Sequence, residues 1–106
     1  MTHDVFISYS SKEKNTAIAA CHAMEDKGIK CWMAPRDLTS GVEFGDIIVK
    51  AIKAAKICVV IFSEAANMSR WVKSEVRMAF DNNLRILPFK IDKTLPEGQM
   101  EIYLSG

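Results

Sequence analysis

The sequence predicts an α/β domain, a three-layer sandwich with a central parallel sheet of about five strands and helices on both faces. Three observations point there. Short β-rich runs alternate with helical stretches at a spacing of roughly 25 residues, the rhythm of βαβ units. One run, Ile57-Cys58-Val59-Val60-Ile61-Phe62, is apolar throughout, as a strand buried on both faces of a parallel sheet must be. In the stretch 44–56, Phe44, Ile47, Ile48, Ala51, Ile52 and Ala55 match the full template of one helix face.

Taken in order, the first strand is Asp4-Val5-Phe6-Ile7-Ser8-Tyr9. A helix over residues 12–27 follows, with Ile18, Cys21 and Met24 on one stripe and Gly28 as a left-handed stop. The second strand is Ile29-Lys30-Cys31-Trp32. After the second helix and the apolar third strand, a third helix starts at Ser69, a good N-cap, and runs to Phe80. The fourth strand is Arg85-Ile86-Leu87-Pro88-Phe89-Lys90-Ile91, and Pro88, with no N–H to give a ladder, places it toward an edge. Beyond Ile91 we expect a loop and a short strand near Ile102-Tyr103-Leu104, with the last crossover helix missing. The expectation is therefore a single domain, residues 1–106, belonging to a longer chain.

Composition narrows the function. The chain has 106 residues, 49% of them hydrophobic and 25% charged, with a formal net charge of +1, so it has no charge excess to hold a nucleic acid or a membrane surface. It lacks an apolar run long enough to span a bilayer, and Met1-Thr2-His3-Asp4 passes straight into a strand rather than a signal peptide, so a cytoplasmic location is expected. Cys21, Cys31 and Cys58 are odd in number and form no CxxC pair, so each is read as a small buried hydrophobe. His3 and His22 have no partners at ligand spacing.

In an open α/β sheet a ligand sits beyond the carboxyl ends of the strands, where strand order reverses. For the order 2-1-3-4-5 that place lies between strands one and three, at Ser8-Tyr9-Ser10-Ser11 and Ser63-Glu64-Ala65. Those serines suit hydrogen bonds to a ribose or phosphate, and they equally suit helix caps. Neither GxGxxG nor GxxxxGK[ST] is present. A phosphoacceptor site would need acidic residues where Ser8 and Ser63 stand.

One residue breaks the helical pattern. With Val72 at zero and about 100° per residue, the polar side chains of the third helix gather between about 100° and 200°. Glu75 falls at about 300°, inside the apolar arc and one turn after Trp71. A buried carboxylate costs several kcal/mol unless it is paired. Two explanations stand: a structural pair or rim position, or a functional acid in a partly dry cleft beside an aromatic plate.

Four segments in order carry a resemblance: Asp4-Val5-Phe6-Ile7-Ser8-Tyr9-Ser10; Cys31-Trp32-Met33-Ala34-Pro35-Arg36-Asp37-Leu38 with Gly41; Val59-Val60-Ile61-Phe62-Ser63; and Ser69-Arg70-Trp71-Val72-Lys73-Ser74-Glu75-Val76. Together the chain resembles a bacterial-type TIR (Toll/interleukin-1 receptor) domain, colinearly from Asp4 to about Leu104. The resemblance implies a flavodoxin-like fold and cleavage of NAD+ at the nicotinamide–ribose bond, giving nicotinamide and ADP-ribose or a cyclic product. NAD+ would be the substrate, with no resident cofactor and no metal.

The residue the family depends on corresponds to Glu75. Phe6, Ser8, Tyr9, Ser10 and Ser11 would line the nucleotide site; Trp32, Arg36 and Asp37 would approach from the loop over residues 34–44; and Trp71 would offer an aromatic face. Several members carry a basic residue or histidine after the first strand, where this chain has Tyr9-Ser10-Ser11-Lys12, so Lys12 is the candidate phosphate contact. The resemblance further implies self-association into a homo-oligomer or filament in signalling or antiphage defence. The other reading is a non-catalytic TIR–TIR interaction module.

Overall fold

The computed structural model of the chain describes residues 3–33 and 44–104. The loop over residues 34–43, and with it Arg36 and Asp37, lies outside the described residues. The element order is β1 (Val5–Ser8), a 3-10 turn (Ser11–Glu13), α1 (Lys14–Glu25), β2 (Cys31–Met33), α2 (Phe44–Ala54), β3 (Ile57–Phe62), α3 (Glu64–Met68), α4 (Arg70–Asp81), β4 (Arg85–Lys90) and α5 (Gln99–Leu104). The described strands form one parallel sheet in the order β2-β1-β3-β4.

Register decides what each face carries. Phe6 pairs with Trp32 on one side and Cys58 on the other, and Ser8 pairs with Val60. Because side chains alternate along a strand, these residues share one face. The Phe6 and Trp32 rings stack there at 5.4 Å between centroids, and α4 lies over it. The opposite face carries Val5, Ile7, Cys31 and Ile57, and α1 covers its β2 end. Burial on both faces explains why Val5 to Ile7 and Val60 to Phe62 are apolar without alternation.

Local signals set the helix limits. Ser69 Oγ accepts from the Val72 N–H at 3.2 Å and starts α4. Gly28 adopts φ +84 after α1, and the Ile29 N–H returns to Met24 O at 3.0 Å, the closure a left-handed residue permits. Asn83, at φ 64, does the same for α4, with the Leu84 N–H on Ala79 O at 3.0 Å.

Pro88 belongs to the edge strand, as expected. The N–H groups of Arg85 and Ile91 donate to Lys56 O and Phe62 O. Odd-numbered residues of β4 thus donate toward β3, and the nitrogen of Pro88 faces away from it.

The end of the chain corrects the expectation from sequence. The described sheet has four strands rather than about five, and residues 102–104 belong to a helix, α5. Met100 is 1% exposed and Tyr103 packs against Phe80 at 5.0 Å between ring centroids. The two contacts fall three residues apart, so a helical turn satisfies both, whereas strand alternation would send them to opposite faces. The short α3, wedged between β3 and α4, was also not anticipated.

Candidate active site

The carboxyl ends of β1 and β3 frame an open cleft of about 570 Å³, lined by Ser10, Ser11, Lys12 and Glu13 on one side and Ser63, Glu64, Ala65, Met68 and Ser69 on the other. Asp92, just past β4, closes its far end. This is the place that strand order predicts for a ligand.

Ser10, Ser63 and Ser69 of this cleft serve as caps. Ser10 Oγ accepts from the Lys12 N–H at 3.2 Å and fixes the 3-10 turn. Ser63 Oγ accepts from the Ala66 N–H at 3.0 Å, capping α3, while its hydroxyl donates to the Glu13 carboxylate. Asp92 holds the opposite wall, accepting from the Glu64 N–H at 3.0 Å and the Thr94 N–H at 2.9 Å. Those backbone donors favour the ionised form and hold its carboxyl below the usual aspartate value. Glu13 and Asp92 were missed by sequence reasoning. The signal for Asp92 was its place immediately after a strand end, the rule that singled out Ser8 and Ser63.

Glu75 is buried, only 3% exposed, on the sheet-facing side of α4. The Ser8 hydroxyl, at the end of β1, donates to its Oε1 at 2.7 Å. Behind the pair lies Cys58, whose thiol pKa is driven far up, first by burial and then by the nearby Glu75 charge. Glu75 is not among the residues that line the cleft.

Trp71 does not share that position. It is 56% exposed and lines a separate hollow of about 610 Å³ with Met68, Arg70 and Ser74. The expected wall of Trp71 and Glu75, one turn apart, is therefore split: the carboxylate turns inward and the indole outward. Met68 borders both hollows.

Phe6 and Tyr9 are buried in the core, and Trp32 stacks on Phe6 and His3 at the β2 edge. Of the expected binding residues, Ser10 and Ser11 line the cleft, while Ser8 is buried and bonded to Glu75. Lys12, the candidate phosphate contact, also lines it.

A family model described as "TIR domain" matches residues 5–105. The chain belongs to the TIR domain family. The TIR domain of the Toll-related receptor TRR-2 from Hydra magnipapillata superposes with a TM-score of 0.79 at 23% identity, covering 91% of this chain and 76% of that one, so the TIR fold is shared. Among curated relatives, a stimulator of interferon genes protein of Magallana gigas is 32% identical over 92 residues, 81% of this chain. A "Probable 2′ cyclic ADP-D-ribose synthase TcpO" of Methanobrevibacter olleyae is 28% identical over 99 residues, 90% of this chain. This TIR chain spans 22% and 29% of the lengths of those two relatives. No helix among its described residues is long and apolar enough to cross a membrane.

Proposed function

We propose that this TIR domain cleaves NAD+ at the nicotinamide–ribose bond and that the reaction depends on Glu75. The observation that carries the reading is a buried carboxylate that accepts from the Ser8 hydroxyl at the carboxyl end of β1, the strand whose following residues line the cleft. A fold spends several kcal/mol to keep such a group dry, and active sites are where that expense recurs. Similarity over 90% of the chain to a protein named as a probable 2′ cyclic ADP-D-ribose synthase supports the same chemistry.

In the reaction, the C1′–N bond breaks and its electron pair leaves with nicotinamide, which becomes neutral. Positive charge develops on the ribose carbon. A fixed carboxylate in a water-poor setting stabilises that charge at no reorganisation cost. Ser8 holds Glu75 in place until a ribose hydroxyl replaces it as donor. Addition of water to the carbon, with loss of a proton, gives ADP-ribose; addition of a hydroxyl of the same molecule gives a cyclic product. Lys12 at the cleft wall supplies charge for the diphosphate. The cleft is open on its outer side, and a second copy of the domain completes it, so activity rises with clustering.

The test is NAD+ incubated with protein gathered on a clustering support, with the products separated by chromatography. Wild type consumes NAD+, and Glu75→Ala loses about 10²-fold or more. Equal consumption by the two proteins removes Glu75 from the reaction.

A second reading has its own observation. Met68 and Trp71 present adjoining, largely exposed apolar side chains at the start of α4, a surface suited to docking another TIR domain. Under that reading Glu75 is structural, and the clustered protein consumes no NAD+.

A further inference from the structure

Two sulfur atoms meet between α1 and β2, away from the cleft, and a third lies one turn away on the same face of α1. Cys31, the first residue of β2, points toward α1, where its Sγ lies 3.9 Å from Met24 Sδ. Cys21, one turn earlier on α1, is buried in the core cluster against which Met24 and Cys31 pack. The positions 21, 24 and 25 fall on one face of the helix, so this gathering follows from helical geometry and from the α1–β2 packing. Cys58 lies on the opposite face of the sheet and takes no part.

The geometry points to a site for one soft monovalent d10 cation, Cu(I) in class, held by Cys21, Met24 and Cys31. Two thiolates and a thioether make an all-sulfur set, the donor chemistry that selects Cu(I) over harder ions. Among the described residues no group of three or more His, Cys, Asp and Glu is arranged to hold a metal, so a divalent ion seeking nitrogen or oxygen finds no comparable set. Burial raises the Cys21 thiol pKa and raises that of Cys31 to about 11, with Glu25 adding to both. Both sulfurs therefore rest as thiols, poor nucleophiles, which argues against a reactive-cysteine role.

Binding is proton exchange without redox change. Two S–H bonds break, two metal–thiolate bonds form, and two protons leave to solvent water. The thioether of Met24 adds a third, neutral bond. A groove of about 620 Å³ at the β2 edge, lined by Glu25, Lys30, Cys31 and Trp32 among others, offers the entry path. Lys30 there offsets the single negative charge of the loaded site.

The experiment titrates the reduced full chain with Cu(I) against a competing chelator, without oxygen. We expect one Cu(I) per chain, X-ray absorption showing three sulfur neighbours, and a melting temperature that rises with loading because only the folded chain assembles the site. Cys31→Ser abolishes that binding. Met24→Leu, a volume-conserving exchange that keeps the fold, weakens it about 10-fold or more. The site is refuted if the chain takes up no Cu(I), if both variants bind as tightly as wild type, or if nitrogen or oxygen neighbours dominate the spectrum.

Discussion

The Ser8 hydroxyl donates to the Glu75 carboxylate at 2.7 Å, joining the carboxyl end of β1 to the second turn of α4. Both residues are buried. The bond links the sheet to the helix that covers it, and it fixes where the one acid in the apolar arc of α4 points.

Removing the donor exposes the cost of that acid. Ser8→Ala leaves Glu75 buried with one hydrogen bond fewer, and stability should fall by about 1–3 kcal/mol. Urea unfolding of Ser8→Ala, Glu75→Ala and the double variant measures the coupling between them. A double-mutant coupling near zero would mean that the bond contributes nothing to folding.

Glu75→Gln behaves differently. The amide oxygen still accepts from Ser8, while the buried charge is gone, so stability should be unchanged or higher. NAD+ cleavage should nevertheless be lost, because a neutral amide cannot stabilise charge at the ribose carbon. A thermal melt and a product assay on the same sample check the pair of outcomes. A destabilised but active variant would reverse the assignment.

Asp92 governs an acid-dependent term. Its pKa is lowered in the folded chain by the N–H groups of Glu64 and Thr94, so protons bind more readily to the unfolded chain. The stability this confers is complete above the ordinary aspartate value of 3.8 and is lost as pH falls through the lower folded value. Asp92→Asn should lower the neutral plateau of stability against pH and flatten its acid limb, so that the two proteins converge at low pH. An unchanged acid limb would show that Asp92 has no preference between folded and unfolded chains.

Trp71→Ala tests the outward face of α4. The indole is largely exposed, so folding stability should move by no more than about 0.5 kcal/mol. Sedimentation at high concentration reads self-association separately. Loss of association with an unchanged melt assigns Trp71 to contacts between domains, and a large drop in melting temperature would show that it supports the fold.

Several features were legible before any coordinates. The run Ile57 to Phe62 declared a central strand because every residue is apolar. Pro88 declared an edge because a central ladder needs its missing N–H. Glu75 was visible as an anomaly because helical phase is a property of spacing alone. The exposure of Trp71 was not legible in the same way: phase gives an angle around α4, and says nothing of how far the neighbouring elements reach. At the first turn of α4 that cover has run out, and the indole faces solvent.

The sequence by itself determined strands β1 to β4, most of the helices, the order that places a cleft between β1 and β3, and the identity of the awkward acid. These rest on local periodicity and on the chemistry of single residues, which neighbours in sequence reveal. Only the tertiary structure decided that Ser8 is the partner of Glu75, that Glu13 and Asp92 brace the cleft, that residues 99–104 coil rather than extend, and that Cys21, Met24 and Cys31 meet. Each of those outcomes depends on packing between segments far apart in the chain or on the space left by other elements, and residue spacing carries no record of either.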